Sequence, residues 1–233
     1  KDAIGENRFS LAHGNFSELK AIVKRLRFGP VNAILLDLGI SSHQLDLSNR
    51  GFSFQKDTPL SMTFSGEKGG KNAWEVINTY PKQKLKEVFE KYGEIKNGGY
   101  TAAKIYKIRQ AHSIDTTFML VEALIGTPLR YQSEGGSRHK KSFLPKATIK
   151  FLAKVFQAIR IEVNDELENL ARVLPQSLEV LTQGGRIAVI SYHSLEDRRV
   201  KQFFKREVRD CVCEPSIFIC NCHHKARLKI ITR

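Results

Sequence analysis

The sequence predicts an α/β fold with parallel strands and an inserted helical segment. Two runs, over residues 33–39 and 186–191, are almost wholly apolar, as expected of parallel strands that are buried on both faces. Helical patterns precede and separate these runs, and strands that alternate with helices favour a parallel sheet. Between residues 73 and 125 the pattern is helical and shows no strand, which indicates the insertion.

The first third of the chain begins with a short apolar stretch, residues 9–12, which we predict to be a strand that runs into a loop. A helix should follow and end at the Gly-Pro pair of residues 29–30. The apolar stripe of this helix consists of Leu19, Ile22, Val23 and Leu26. After the first strand, residues 41–64 are rich in polar side chains and predict a long loop, a kind of segment that is often functional.

The last third of the chain is predicted to be helical from residue 148, with leucines along one face up to the glycine pair of residues 184–185. Pro175 interrupts this stretch, and we therefore predict a kink or a break between two helices there. The second strand follows, and its polar end leads into a basic helix.

Composition points to a folded protein with a polyanionic partner. Lys and Arg number 38 against 24 Asp and Glu, a formal net charge of +14, and 41% hydrophobic residues exclude a disordered basic tail. Nucleic acid is the polyanion that such a charge first suggests, and a basic protein without such a partner is the alternative. From the sequence we expect neither a membrane span nor a signal peptide, and its clustered cysteines favour a reducing, cytoplasmic setting.

Polar side chains follow both predicted strands, where open α/β sheets bind their ligands. The first strand delivers Asp37 and then residues 41–44 (Ser-Ser-His-Gln), and the second delivers His193 and Ser194. We expect these segments and the loop at residues 13–16 to converge on one cleft, although each residue alone could cap a helix or hydrogen-bond locally. No serine of these segments lies in Gly-x-Ser-x-Gly and the chain has no P-loop, which argues against a serine hydrolase and a P-loop enzyme.

The four cysteines form two Cys-x-Cys pairs, at residues 211–213 and 220–222, and two histidines follow them. Clustered Cys and His can form a tetrahedral zinc site, although the usual spacing is Cys-x-x-Cys. Alternatively, the pairs lie on the two strands of a hairpin and pack there as small buried side chains. The sequence leaves both interpretations open, and we assign no metal ligand from it.

Five long segments match motifs of one known family. They are HGNFSEL (13–19), LLDLGISSHQLDLSNRGFSFQKDTPLSM (35–62), NTYPKQKLKEVFEKYGE (78–94), VFQAIRIEVNDEL (155–167) and GGRIAVISYHSLEDRRVKQFF (184–204). In these segments, and in its closing cysteines and LKIITR, the chain resembles the MraW family of 16S rRNA cytidine N4-methyltransferases. The resemblance covers nearly the whole chain in collinear order.

The resemblance implies a Rossmann-like class I methyltransferase sheet with an inserted helical domain, and S-adenosyl-L-methionine as the cofactor. It implies cofactor contacts by Phe16, Asp37 and Gln44, which is consistent with a carboxylate that accepts amine hydrogen bonds and a ring that stacks on adenine. Family members begin with a strand and a Gly-rich loop of the form D-x-T-x-G-x-G-G-H-S. The sequence starts after that loop, so we expect this N-terminal segment to be missing from it.

The implied reaction is methyl transfer to the exocyclic N4 of a decoding-centre cytidine in 16S rRNA. The candidate catalytic residues are Asp37, Ser41, Ser42, His43 and His193. The candidates for contacts with the base or its phosphates are Asn164, Ser194 and Arg198. We expect replacement of His193 by alanine to reduce methylation far more than cofactor affinity, because His193 follows a strand end in the matched motif.

We expect residues 1–66 and 148–233 to form the methyltransferase domain, and residues 67–147 to form an inserted helical domain that recognises the RNA substrate. The expected partner is 16S rRNA in the small ribosomal subunit, and a homodimer stays open. The alternative function is that of a non-catalytic RNA-binding or ribosome-assembly protein with a C-terminal Cys/His zinc module.

Overall fold

A computed structural model describes residues 9–41, 49–64, 70–128, 144–217 and 219–232. The chain divides into two units, the first formed by Lys1–Gly39 with Glu166–Arg233 and the second by Ile40–Asp165. Among the described helices, none combines the length and the apolar character needed to cross a lipid bilayer. Ser42, His43 and Gln44, three of the candidate site residues, lie outside the described residues.

The described elements follow in chain order. The first are a short 3₁₀ helix (Phe16–Glu18), α1 (Leu19–Arg25), β1 (Val31–Asp37), α2 (Ala73–Thr79), α3 (Lys82–Gly93) and α4 (Gly98–Arg109). They continue with α5 (Thr117–Ile125), α6 (Lys146–Asn164), α7 (Glu166–Val180), β2 (Leu181–Ile190) and α8 (Ser194–Glu207). Helices and a small sheet agree with the predicted α/β class.

In the first unit, β1 and β2 pair in parallel, as the sequence predicts, with Asp37 opposite Ile190. The register shifts near the start of β1, where two glycines of β2 accommodate the irregularity. Gly184 has a φ of +80°, and a Cβ on Gly185 would lie 2.9 Å from the carbonyl oxygen of Thr182. Larger residues would therefore strain this part of the strand.

The prediction that the strands are buried on both faces is wrong for the described residues. Ile34, Leu36 and Leu38 pack together with apolar side chains of α7 and α8, whereas Leu35 is 65% exposed. Side chains alternate along a strand, and the described helices of this unit share one apolar cluster on one face of the sheet. The apolar run in the sequence therefore does not show whether helices pack on one face of the strand or on both.

Two other predictions about local structure are corrected. Residues 9–12 form no strand, since they are exposed and no described strand lies beside them to complete a ladder. Of the kink or break predicted at Pro175, the break is absent because α7 continues through it, and the kink stays a prediction. A proline inside a helix costs about 3 kcal/mol. Burial of flanking side chains such as Leu170 and Leu174 contributes about 1.5–3 kcal/mol each, which offsets that cost.

The helical chain is instead interrupted at Asp165, between α6 and α7. This residue has a φ of +49° and its N–H donates to the carbonyl oxygen of Ile161, which ends α6. A left-handed residue that closes the last turn is a common way to end a helix, and aspartate tolerates it better than most residues.

The second unit packs α2 to α6 around an apolar core, which agrees with the helical pattern predicted for residues 73–125. Gly98 lets α4 approach α3, because a Cβ there would lie 2.5 Å from Cγ of Glu90 and 3.0 Å from the carbonyl oxygen of Lys86. Residues 49–64, predicted to be a loop, contain no helix or strand, and their Leu60 and Met62 are buried in this core.

The alternative interpretation, that the cysteine pairs pack as buried side chains on a hairpin, is wrong for the described residues. The described residues between Val208 and Thr232 form no strand, and Cys211 and Cys220 are exposed rather than buried. Glu207, which is 2% exposed, holds this segment against the end of α8 by an ion pair with Arg227 at 2.6 Å. The carbonyl oxygen of Glu207 also accepts a hydrogen bond of 2.8 Å from the backbone N–H of Arg227. A few specific polar contacts therefore order the segment in place of a strand ladder.

Candidate functional site

The candidate site begins with Asp37, the last residue of β1. Its side chain is exposed at the carboxyl end of the parallel sheet, the edge at which open α/β folds bind ligands. The next residue still belongs to the ladder, because the N–H of Leu38 donates to the carbonyl oxygen of Ile190 at 3.1 Å. The sheet thus fixes the backbone on both sides of Asp37, and the carboxylate projects from a rigid element.

Tyr192 joins Asp37 across this edge, a contact that sequence reasoning missed. The hydroxyl of Tyr192 donates to Oδ1 of Asp37 at 3.1 Å, and this hydrogen bond raises the pKa of the phenol above its ordinary value. The ring lies against Gly39, whose φ is +88° and where a Cβ would approach Cδ2 of Tyr192 to 3.3 Å. The only signal in the sequence was the position of Tyr192 directly after the second strand, within the matched SYHSLEDR motif.

His193 lies beside Tyr192 but points into the first unit. It is the N-cap of α8, and its Nδ1 accepts a hydrogen bond of 3.4 Å from the backbone N–H of Glu196. The buried Nε2 lies 3.2 Å from Oε1 of Glu196, close enough for an ion pair when the ring is protonated. The side chain of His193 is only 10% exposed. Both nitrogens therefore face the protein, and the ring holds the start of α8 in place.

Two buried carboxylates surround this histidine. Glu196 is 3% exposed, and its Oε2 accepts a hydrogen bond of 3.0 Å from the backbone N–H of Tyr192. Glu166, at the start of α7, offers a ligand atom within 4.8 Å of those of His193 and Glu196. Because the same carboxylate touches the backbone of Tyr192 and the cap of α8, the cluster fixes the loop that carries Tyr192.

The other candidates of the first unit lie on its surface. Ser194 and Arg198 are exposed on the first turns of α8, and Phe16 is exposed on the 3₁₀ helix before α1. Asn15 caps that short helix, since its Oδ1 accepts a hydrogen bond of 2.9 Å from the N–H of Ser17. The HGNF motif therefore builds a turn that presents the ring of Phe16 to solvent.

The second unit holds the two remaining candidates that the structure describes. Ser41 is exposed near its start. Asn164, at the end of α6, donates to the carbonyl oxygens of Met62 at 2.7 Å and Arg160 at 2.9 Å, and accepts from the N–H of Phe64 at 2.9 Å. Its amide thus ties residues 62–64 to the helix, while its predicted contact with the substrate stays a prediction.

Comparison with known proteins identifies the family to which this site belongs. A model of the MraW methylase family matches residues 3–233. The chain belongs to the MraW methylase family. The matched region contains every candidate residue of this chain, so the Asp37–Tyr192 edge and the His193 cluster are features of an MraW methylase.

Individual relatives of the MraW methylase agree with this assignment. The chain is 43% identical over 226 residues to the ribosomal RNA small subunit methyltransferase H of Syntrophotalea carbinolica, covering 97% of this chain and 68% of the relative. It is 42% identical over 228 residues to the protein of the same name from Carboxydothermus hydrogenoformans, with the same two shares. A third relative of that name, from Thermomicrobium roseum, is 43% identical over 220 residues, or 94% of this chain and 63% of the relative.

Proposed function

We propose that this MraW methylase transfers a methyl group from S-adenosyl-L-methionine to the exocyclic N4 of a decoding-centre cytidine in 16S rRNA. The observation that carries the proposal is the exposed carboxylate of Asp37 at the carboxyl end of a parallel strand. That position is where folds of this class receive their ligands, and the family is one of methylases. The names of the relatives, which are ribosomal RNA small subunit methyltransferases, support the choice of substrate.

The exposed groups of the first unit fit the cofactor. The carboxylate of Asp37 can accept hydrogen bonds from an adenine amine or a methionine ammonium, and the exposed ring of Phe16 can stack on a purine. S-adenosyl-L-methionine would supply a methyl group activated by a positively charged sulfur. Tyr192 holds one oxygen of Asp37 in place, which limits the orientations that the carboxylate can adopt.

The target amine needs positioning, since its lone pair is delocalised into the cytosine ring. The chain must hold that lone pair in line with the methyl group and accept the amine hydrogens as positive charge develops on nitrogen. Asp37, Ser41, Ser42 and His43 are the proposed acceptors, close together in sequence after β1. The cytidine must be unpaired or extruded from a helix before these residues can reach its amine.

We place substrate recognition on the second unit, where α4 presents an aromatic and basic surface. Tyr100 is 65% exposed, and the Nζ of Lys104 lies 5.0 Å from the centre of its ring. Lys96 and Lys107 are exposed nearby on the chain, and neither forms an ion pair with a residue that the structure describes. RNA is read by rings that stack on unpaired bases and by cations that neutralise phosphates, and this surface offers both.

The role of Asp37 is tested by replacing it with asparagine. Loss of a charged acceptor costs about 1.5–3 kcal/mol, so we expect Asp37→Asn to bind S-adenosyl-L-methionine about 10- to 100-fold more weakly. Calorimetric titration measures this affinity. The relatives extend beyond the matched region, so the assay uses the gene product with its natural termini.

Glu179→Gln is the matched control for this experiment. Glu179 is a half-exposed carboxylate of α7 that pairs with Lys20 at 2.6 Å, and an exposed pair contributes roughly 0–1 kcal/mol. Cofactor affinity should therefore stay within twofold of the unchanged protein. Equal affinities of Asp37→Asn and Glu179→Gln would remove Asp37 from the cofactor site.

The role of the α4 surface is tested by Tyr100→Ala. Stacking of a base on an aromatic ring contributes about 1–3 kcal/mol, so affinity for 16S rRNA should fall about 5- to 100-fold. Tyr106→Ala is the control on the same helix. Tyr106 lies six residues after Tyr100, on a different side of α4, where its ring contacts Arg109. A filter-binding measurement in which both variants bind equally would argue against this surface.

The alternative function, a non-catalytic RNA-binding or ribosome-assembly protein, is separated from the first by the same titration. It requires RNA binding without affinity for S-adenosyl-L-methionine. A gene product with natural termini that binds 16S rRNA but gives no heat with the cofactor, and no transfer of tritiated methyl groups, would favour the alternative.

A further inference from the structure

The four cysteine sulfurs, although spread over twelve residues of the chain, converge on one point near its end. The Sγ atoms of Cys211, Cys213, Cys220 and Cys222 all lie within 4.8 Å of one another. Three of these separations are 3.6 Å between Cys220 and Cys222, 3.8 Å between Cys213 and Cys220, and 3.8 Å between Cys211 and Cys222. A turn at Glu214, whose carbonyl oxygen accepts from the N–H of Ile217 at 3.0 Å, brings the two pairs together.

These separations match a metal site and not a pair of disulfides. A disulfide bond is about 2.05 Å long, well below every separation observed, and all four thiols are free. A tetrahedral zinc ion with Zn–S bonds of about 2.3 Å would hold its ligands about 3.8 Å apart, which is the edge of that tetrahedron. The arrangement thus has the dimensions of a four-thiolate zinc site.

The backbone around the sulfurs also suits thiolates. The N–H of Val212 donates to Sγ of Cys222 at 3.4 Å, and the N–H of Cys213 donates to Sγ of Cys211 at 3.5 Å. Such hydrogen bonds orient metal-bound sulfurs and disperse their negative charge. Both donors lie in the first Cys-x-Cys pair: the N–H of Cys213 bonds within that pair, and the N–H of Val212 bonds across to the second pair.

The surrounding segment needs a cross-link because it has little apolar core. The described residues from Arg209 to Thr232 contain no helix or strand, and their large apolar side chains Ile217, Ile219, Ile230 and Ile231 are exposed. Segments that cannot bury enough apolar surface are commonly held by disulfides or by a structural metal. Besides the cysteine cluster, two polar contacts hold the segment. Arg227 forms an ion pair with Glu207, and the N–H of Ala226 donates to Oδ1 of Asp210 at 3.1 Å.

We infer that Cys211, Cys213, Cys220 and Cys222 bind one Zn²⁺ ion, which holds the two Cys-x-Cys pairs together after the end of α8. Each thiol gives up its proton on binding, and the ion cross-links the two Cys-x-Cys pairs. The role is structural, because four protein ligands leave no open position for a substrate. This site is separate from the methyl-transfer site proposed above and does not depend on it.

A second cluster in the first unit competes for the assignment and is the weaker candidate. Glu166, His193 and Glu196 also bring three ligand atoms within 4.8 Å. There, however, Nδ1 of His193 accepts from the N–H of Glu196, and Oε2 of Glu196 accepts from the N–H of Tyr192. These hydrogen bonds already use some of the lone pairs that a metal would need. A site of three nitrogen and oxygen ligands therefore binds zinc less well than a site of four thiolates.

The test measures zinc in the untagged gene product, purified without chelators. We expect one zinc per chain, and replacement by Co²⁺ should give the strong thiolate-to-metal absorption of a four-sulfur site. Cys213→Ser and Cys220→Ser should each bind zinc at least tenfold more weakly. His223→Asn is the control, because His223 adjoins the cluster with a φ of +51°, which asparagine tolerates, and zinc binding should be unchanged.

Three results would overturn the assignment. They are a zinc-free protein that does not take up added zinc, a Cys220→Ser variant that keeps its zinc, and loss of zinc in His223→Asn. If the serine variants do not fold, titration of the unchanged protein with a mercurial reagent replaces them. Four equivalents, matching the four cysteines of the chain, should release one zinc. Zinc release before any thiol reacts, or no release, would contradict the site.

Discussion

At the scale of single residues, the candidate site depends on contacts that join distant parts of the chain. The end of β1 supplies the carboxylate of Asp37, and Tyr192, 155 residues further on, donates the hydrogen bond that orients it. Asp37 could be predicted from the sequence, because an acidic residue at the end of an apolar run marks a strand end. The role of Tyr192 could not, because it depends on the pairing of β1 with β2 and on the space left above Gly39.

His193 provides the prediction at this scale. Its burial and its cap on α8 favour a positioning role, in which the ring holds the loop of Tyr192 rather than touching substrate. Removal of a cap acceptor, with a buried N–H left unpaired, should lower the free energy of unfolding by about 1–3 kcal/mol in His193→Ala. Urea denaturation measures this loss, and tritium transfer from the cofactor measures activity in the same samples.

His193→Asn separates positioning from catalysis, because the asparagine side chain can also cap a helix. If the histidine acts through position, His193→Asn should recover most of the stability and most of the activity that His193→Ala loses. A variant that is as stable as the unchanged protein but inactive would instead show that the imidazole itself takes part in the reaction.

At the scale of elements, the sequence predicted which segments form helices and strands better than it predicted what covers them. The helical pattern of residues 73–125 and the parallel pairing of β1 with β2 are confirmed. The continuity of α7 through Pro175 and the exposed face of β1 were not predictable, because both depend on which side chains pack against the element. A local pattern reports the period of an element but not its neighbours.

Two adjacent glycines at the start of α4 test the packing of that helix. Gly98→Ala should lower the free energy of unfolding by about 1–3 kcal/mol, because its Cβ would overlap Glu90 and the backbone of Lys86. Gly99→Ala is the control, since its nearest neighbour beyond the adjacent residues is Cδ of Lys86 at 3.6 Å. There alanine should be neutral or stabilising by up to about 1 kcal/mol, which is its advantage over glycine in a helix. Equal unfolding midpoints for the two variants would contradict the close approach of α3 and α4.

At the scale of the whole molecule, the net charge of +14 agrees with the nucleic-acid substrate that we propose. The charge alone favoured any polyanion, and Lys104 beside Tyr100, with the exposed Lys96 and Lys107 nearby on the chain, gives part of it a place and a proposed purpose. Neutralised phosphates release counterions, so affinity for RNA should fall steeply as salt rises. Neither the net charge nor the fold specifies which base is methylated. That choice depends on the atoms that surround Asp37 when the substrate is bound.

The proposed transfer of a methyl group to the exocyclic amine of cytidine is tested by identifying the methylated nucleoside. Unmethylated small ribosomal subunits and 16S rRNA are incubated with the gene product and labelled S-adenosyl-L-methionine, digested to nucleosides and analysed by mass spectrometry. We expect N4-methylcytidine as the labelled nucleoside, in amounts that Asp37→Asn reduces and Glu179→Gln does not. Label in 5-methylcytidine or in another base, or no label with folded protein that binds the cofactor, would contradict the proposed reaction.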